Sequence, residues 1–143
     1  MAITLGQLSL SRLEGVRPDL VRVVKRAAVM ATADEDFKVL EGVRTHERQR
    51  ELYAQGRTKP GKIVTWTLKS NHFRNARTGL GHAVDLAPFP IDWNNVGRFD
   101  RLANLMFRAA SIEGVAIRWG ADWDRDGKPR ERGESDSPHF ELA

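Results

Sequence analysis

An α+β fold, a small antiparallel sheet packed with helices, is predicted by three features of the chain. One apolar stripe at helical spacing follows Pro18, a second runs from Val96 to Glu113, and short alternating segments carry most of the other apolar residues. The 143 residues suit a single domain, 1–143. A chain of that length buries about two thirds of its unfolded surface, so it needs no staples.

The elements follow in order. Pro18 opens a helix, and Leu20, Val21, Val24, Ala27, Ala28 and Ala31 recur along it as a core stripe. In DFKVLEGV, residues 36–43, Phe37, Val39 and Val43 stand among polar neighbours and predict a strand. Thr45 suits the cap of a helix that ends near Gly56. GHAVDLAP, residues 81–88, reads as a second strand. The helix from Val96 puts Phe99, Leu102, Ala103, Met106, Ala109 and Ala110 on one side, stops at Gly114, and is expected to cover the sheet. VAIRW (115–119) and HFEL (139–142) supply short strands able to pair with HAVDLAP.

Composition narrows the chemistry. With no cysteine, disulfides, thiol nucleophiles and thiolate-held metals are all excluded, and any metal must be held by His, Asp or Glu. The start, MAITLGQLSLSRLEGVRPDL, lacks a basic leader followed by an apolar core, and no run of about 18 apolar residues occurs. Neither a signal peptide nor a membrane span is expected. A formal charge of +4 invites an anionic partner, but Arg17, Arg22, Lys25, Arg26, Arg57, Lys59, Lys62, Arg74 and Arg77 are dispersed. No nucleic-acid-reading signature accompanies them, so no specific nucleic acid is expected.

His72, Asp85 and His139 offer two imidazoles and a carboxylate, the number of protein ligands a catalytic zinc uses when a fourth position is kept open. Taken singly, each is as well read as structural. If GHAVDLAP is a strand, Asp85 and Ala83 share one face and His82 and Val84 the other, so His82 is read as a hydrogen-bonded structural residue facing away from the metal. His46, beside Thr45, is read as a surface residue near the cleft, with no chemical role.

The pattern Ser-x-His, Gly-x-Ala-x-Asp and Asp-x-x-His-Phe-Glu, carried by Ser70, His72, Gly81, Ala83, Asp85, Asp136, His139 and Glu141, resembles the zinc peptidases that share the D-alanyl-D-alanine peptidase and hedgehog-type fold. The run from Glu47 to His72 resembles, more narrowly, the phage endolysins that act as L-alanyl-D-glutamate peptidases. Together the resemblance covers about residues 40–143. One difference is the longer segment FRNARTGL, 73–80, between the first histidine and Gly-x-Ala-x-Asp.

The resemblance implies a zinc metallopeptidase that hydrolyses the L-alanyl-D-glutamate bond of bacterial peptidoglycan and lyses the host. It implies Zn2+ on His72, Asp85 and His139, with Asp136 as general base and then acid; Glu134 and Glu141 are nearby rivals. Glu141, two residues from His139, could orient that ligand instead. Arg44, Gln49 and Ser70 are the expected substrate-side residues, the arginine fork suiting a carboxylate or an incipient oxyanion. The expected partners are peptidoglycan and, through the basic surface, the anionic cell envelope. A monomer without a separate wall-binding domain is expected, held in the host bacterial cytoplasm until release. Alternatives are a D-alanyl-D-alanine carboxypeptidase or dipeptidase, a noncatalytic peptidoglycan-binding module, and a basic nucleic-acid-binding protein.

A second cation is suggested by ADWDRDGKPRERGES. Asp122, Asp124, Asp126 and Gly127 reproduce the opening of a calcium loop, in which alternate oxygens converge and glycine permits the turn. Gly133 stands where such a loop has its bidentate glutamate, with Glu134 one place late, so a solvated acidic loop is the competing reading. A bound calcium could order the segment leading to Asp136 and His139.

Overall fold

The computed structural model describes residues 3–65, 70–131 and 136–143. Four α-helices, α1 (Gln7–Arg12), α2 (Pro18–Met30), α3 (His46–Ala54) and α4 (Val96–Glu113), are combined with four strands, β1 (Phe37–Glu41), β2 (Ala83–Pro88), β3 (Ile117–Trp119) and β4 (His139–Leu142). The α+β class is as expected. Helix α1 has no counterpart in the sequence reading; its single turn and a half shows too little periodicity, and it is held by burial of Ser9 and its neighbour Leu13.

The strands form one antiparallel sheet in the order β1-β2-β4-β3. HFEL pairs with HAVDLAP as expected, but VAIRW does not. It pairs with β4 instead, Ile117 opposite Leu142 and Trp119 opposite Phe140, because β4 is the strand inserted beside β2. The Trp119 and Phe140 rings stack on the core face, their centroids 6.3 Å apart.

Helices α2 and α4 pack on one face of this sheet. Leu20, Val23, Val24, Ala27, Ala28 and Ala31 of the first helix region meet Leu102, Leu105, Met106 and Ala109 of α4 over Val39, Val84, Leu86 and Phe140. Val23 takes the inward place expected for Val21, which is only partly buried. Positions 20, 23, 24, 27, 28 and 31 lie on one helical face, whereas 21 is rotated by a full residue step from 20. Gly114 ends α4 in the left-handed region, φ 69°, its N–H donating to the carbonyls of Ala110 and Ser111.

Strand period assigns the opposite face to the site. Val84 and Leu86 point to the helices, so Asp85 points away from them, as do His139 and Glu141 on either side of buried Phe140. On β1 the period is broken. Phe37 and Val39 face the core, and a register shift between Val39 and Glu41 leaves Leu40 as an extra residue. Glu41 is thereby turned to pair with Asp85, on the site face.

Candidate active site

Three ligand atoms converge above β2 and β4. His72 Nε2 is 3.3 Å from Asp85 Oδ1, His139 Nδ1 is 3.4 Å from the same oxygen, and the two nitrogens are 3.2 Å apart. Zinc bonds of about 2.0–2.1 Å in a tetrahedron set edges of about 3.3–3.4 Å, so this triangle has the size of one zinc coordination face.

The outer partners orient the ring nitrogens. His72 Nδ1 lies 2.7 Å from the Gly42 carbonyl, and His139 Nε2 lies 2.7 Å from Glu141 Oε1. If each of these nitrogens carries the proton, the neutral rings turn lone pairs toward Asp85. Asp85 Oδ1 is itself buried without a hydrogen bond. Three acceptors facing one point, with no donor among them, is the donor set a cation satisfies. Without a cation a proton must serve. Burial opposes the charge on His139, but the Asp85 and Glu141 carboxylates outweigh it and hold its pKa up at about 9. Burial likewise opposes the Asp85 carboxylate, which the His139 and His72 imidazoles nevertheless hold well below the usual range.

His72 reaches the site although it sits at the end of a loop. Its N–H donates to Ser70 Oγ, and its carbonyl accepts from Arg44 N–H at 2.8 Å. The longer 73–80 segment folds on itself, Asn75 N–H donating to Leu80 O and Gly79 N–H to Asn75 O, so its extra length is absorbed away from the ligand. His82 is placed by Thr78 Oγ1, 2.9 Å from its Nε2, and stands outside the ligand triangle. His46 is exposed, its ring tilted against that of Phe73 with the centroids 4.0 Å apart.

A cavity of about 520 Å³ opens beside the triangle, lined in part by Arg44, Gln49, Ser70, Phe73, Trp123 and Asp136. Asp136 is half exposed at its rim, Oδ2 lying 3.8 Å from His139 Nδ1. Desolvation raises its carboxyl, opposed by His139, His72 and Arg44 and reinforced by Asp85. The turn that carries it is pinned to the end of β3. Asp136 N–H donates to Gly120 O, Gly120 N–H to His139 O, and the Trp119 indole to Ser137 O. A Cβ on Gly120 would fall on the Asp136 carbonyl, 2.8 Å from Asp136 Cβ and 3.0 Å from His139 Cβ, so only glycine admits this approach. Glu134, a rival to Asp136 in the sequence, lies outside the described residues.

The substrate-side expectation for Arg44 changes in one respect. Its fork is not free, because Nε and Nη2 donate to the two Glu41 oxygens at 3.0 and 2.6 Å, Nη2 reaches Asp85 Oδ2 at 3.3 Å, and Nη1 donates to Gln49 Oε1 at 2.7 Å. Gln49 is buried and donates in turn to Thr65 Oγ1. Ser70 accepts from backbone rather than standing ready as a nucleophile.

The sequence profile described as phage L-alanyl-D-glutamate peptidase matches residues 1–143. The chain belongs to this family. It is 30% identical to the L-alanyl-D-glutamate peptidase of Escherichia phage T5 over the whole of both chains. It is 31% identical to the peptidoglycan L-alanyl-D-glutamate endopeptidase CwlK of Bacillus subtilis, across 89% of this chain and 75% of that one. The crystal structure of the Serratia marcescens L-Ala D-Glu endopeptidase ChiX superposes with a TM-score of 0.70 at 33% identity, covering 94% of this chain and 86% of that one. The family resemblance carried by the Ser-x-His, Gly-x-Ala-x-Asp and Asp-x-x-His segments is thus borne out over more of the chain than those motifs span.

Within the family fold, several site neighbours carried no signal in the sequence. Glu41 is hidden by the β1 bulge, and Asn71, whose Nδ2 donates to Glu141 Oε2 at 2.8 Å, looks like any loop asparagine. Trp123, with its ring 5.3 Å from that of His139, belongs to the acidic loop and forms a cavity wall. In that loop Asp122, Asp124 and Asp126 bring carboxylate oxygens within 4.8 Å of one another. Asp122 Oδ2 accepts from Gly127 N–H, while Asp122 Oδ1 is buried with no partner.

Proposed function

We propose that this protein is a zinc-dependent endolysin that hydrolyses the L-alanyl-D-glutamate bond of peptidoglycan stem peptides. The observation that carries the reading is the triangle of His72, Asp85 and His139, whose facing atoms lie 3.2–3.4 Å apart beside a cavity, in a chain whose relatives are L-alanyl-D-glutamate peptidases. Bound there, zinc would supply Lewis acidity and bring the pKa of water down to about 7.

The residues of the chain divide the remaining work. Asp136, at the cavity rim, takes the proton from the attacking water as the alanine carbonyl is attacked, then returns it to the departing glutamate amine. Asp85 and the two histidines hold the cation, with Glu141 and the Gly42 carbonyl fixing the rings. Arg44 and Gln49 form the substrate wall, and Ser70 shapes the loop before His72.

The test is digestion of isolated peptidoglycan with and without chelator and added zinc, reading the released ends by mass spectrometry. New alanine carboxyl and glutamate amino ends that vanish with chelator are expected. Release of D-alanine would move the bond to the carboxypeptidase reading, and intact peptidoglycan with zinc bound would leave a binding module.

The acidic loop supports a second reading, a calcium site on Asp122, Asp124 and Asp126. What favours it is Asp122 Oδ1, buried without a partner among converging carboxylates, in a residue only 8% exposed. Burial, with Asp124 and Asp126 nearby, raises the Asp122 carboxyl, a cost that a divalent cation would remove. Calcium titration of wild type and Asp124→Ala decides it: equal affinity and activity in both would leave a solvated loop. Action on the wall from a host cytoplasmic start, as a monomer drawn to anionic envelope, completes the reading. Among the described residues no helix is long and apolar enough to cross a membrane.

A further inference from the structure

We propose that Glu41 is a positioning residue of the metal site, acting through Arg44 on Asp85, and that the same clamp leaves one Arg44 N–H for the substrate. The proposal rests on the zinc peptidase reading above and adds a residue to it.

The starting point is an arrangement that costs energy unless it is used. Glu41 and Asp85 are cross-strand partners on β1 and β2, and like charges placed opposite one another on adjacent strands destabilise a sheet. Plain alternation along β1 would have pointed Glu41 to the helical core with Phe37 and Val39. The bulge at Leu40 turns it to the site instead, the re-aiming that bulges beside active sites perform. Arg44 then stands between the two carboxylates, its side chain only 11% exposed.

The donor inventory fixes what Arg44 can do. A guanidinium has five N–H groups in a rigid fork. Glu41 takes Nε–H and one on Nη2, Asp85 Oδ2 takes the other on Nη2, and Gln49 takes one on Nη1. One Nη1 hydrogen remains without a partner among the described residues, on a side chain that lines the cavity. On the other side, engaging Asp85 Oδ2 leaves Oδ1 as the oxygen that faces His72 and His139. Glu41 thus sets two things at once: which Asp85 oxygen meets the cation, and where a single cationic donor points.

Glu41→Gln keeps the shape and sets an amide NH2 against an Arg44 N–H in place of an acceptor. The fork is then released toward Asp85, competing with the cation for that carboxylate. Zinc affinity of the stripped protein, read by chelator competition, is expected to fall about 10–100-fold, the range for losing an outer partner of a ligand. In an Arg44→Met background the same Glu41→Gln change is expected to leave zinc affinity within about twofold, because the connecting group is gone.

Unchanged zinc affinity in Glu41→Gln, or the same loss with and without Arg44, overturns the proposal. So does failure of Glu41→Gln to fold while the Glu41→Gln/Arg44→Met double variant binds zinc as wild type does, which would assign the pair to folding alone. Wild type that binds no zinc would overturn the metal-site reading itself. Wild type that binds zinc and cleaves peptidoglycan, beside an unaffected Glu41→Gln, would overturn only the positioning role.

Discussion

Asp85 of β2 and His139 of β4 are partners across one rung of the sheet, and their facing atoms, Oδ1 and Nδ1, lie 3.4 Å apart. Two of the three side chains that would hold a cation are therefore set by ladder hydrogen bonds, and the third, His72, depends on a loop.

Asp85→Asn should separate charge from shape. The amide fills the same space between Arg44, His72 and His139 but brings no negative charge to the cation. Zinc affinity is expected to fall by more than the ~10–100-fold that loss of an outer partner costs. Chelator competition measures it, and affinity within about tenfold of wild type would mean that Asp85 is not a ligand.

Metal loading should expel a proton. In the metal-free protein His139 is held up at about 9 by Asp85 and Glu141 against burial, and a ligand must be neutral to bind. The folded value is raised above the ordinary value of about 6.5, so the stabilisation from this charge is fully present below that pH and lost as pH rises through about 9. Zinc binding near pH 7.5 is expected to release about one proton from His139 in addition to the proton lost by the bound water. Calorimetry in buffers of different ionisation enthalpy reads the number; a release no greater than the bound water accounts for would contradict the assignment of His139.

Asp136→Asn removes the proton carrier and leaves the triangle intact. kcat is expected to drop by about 10²–10⁴, with zinc affinity little changed. In the metal-free protein the carboxyl is raised by desolvation, and a bound cation would oppose that rise. Activity needs the base form, so kcat/KM is expected to fall on acidification; a pH profile that is the same in wild type and Asp136→Asn would move the base role elsewhere.

How far these residues could be read in the sequence depends on what kind of regularity places them. Asp85, His139 and Glu141 obey strand alternation, so their shared face is legible, as is the place of His82 outside the triangle. The two long helices were legible for the same reason, with an error of one position at Val21. Glu41 was not, because a bulge reverses the alternation that would have buried it. VAIRW was given the wrong neighbour because nothing local in a three-residue strand states whether it lies beside β2 or beyond β4. Asn71 and Trp123 belong to loops, where side-chain direction follows from distant contacts rather than from period.

Gly120 gives the sharpest test of how the base is held. Its backbone exchanges hydrogen bonds with Asp136 and His139, and an added Cβ would collide with the Asp136 carbonyl and crowd the His139 Cβ. Gly120→Ala must push the Asp136 turn outward, since His139 is locked in the sheet. Overpacking of this kind costs about 1–3 kcal/mol of stability. Displacing a catalytic group by about 1 Å can cost about 100-fold in rate, so kcat is expected to fall by that order while zinc stays bound. Gly114→Ala is the control. That position also strains on gaining a side chain, because its φ of 69° lies in the left-handed region, yet it ends α4 with nothing within 4 Å of the new carbon. It should lose stability by a similar ~1–2 kcal/mol with kcat unchanged. If both variants lose stability and neither loses rate, the close approach at Gly120 serves folding alone and the Asp136 turn tolerates displacement.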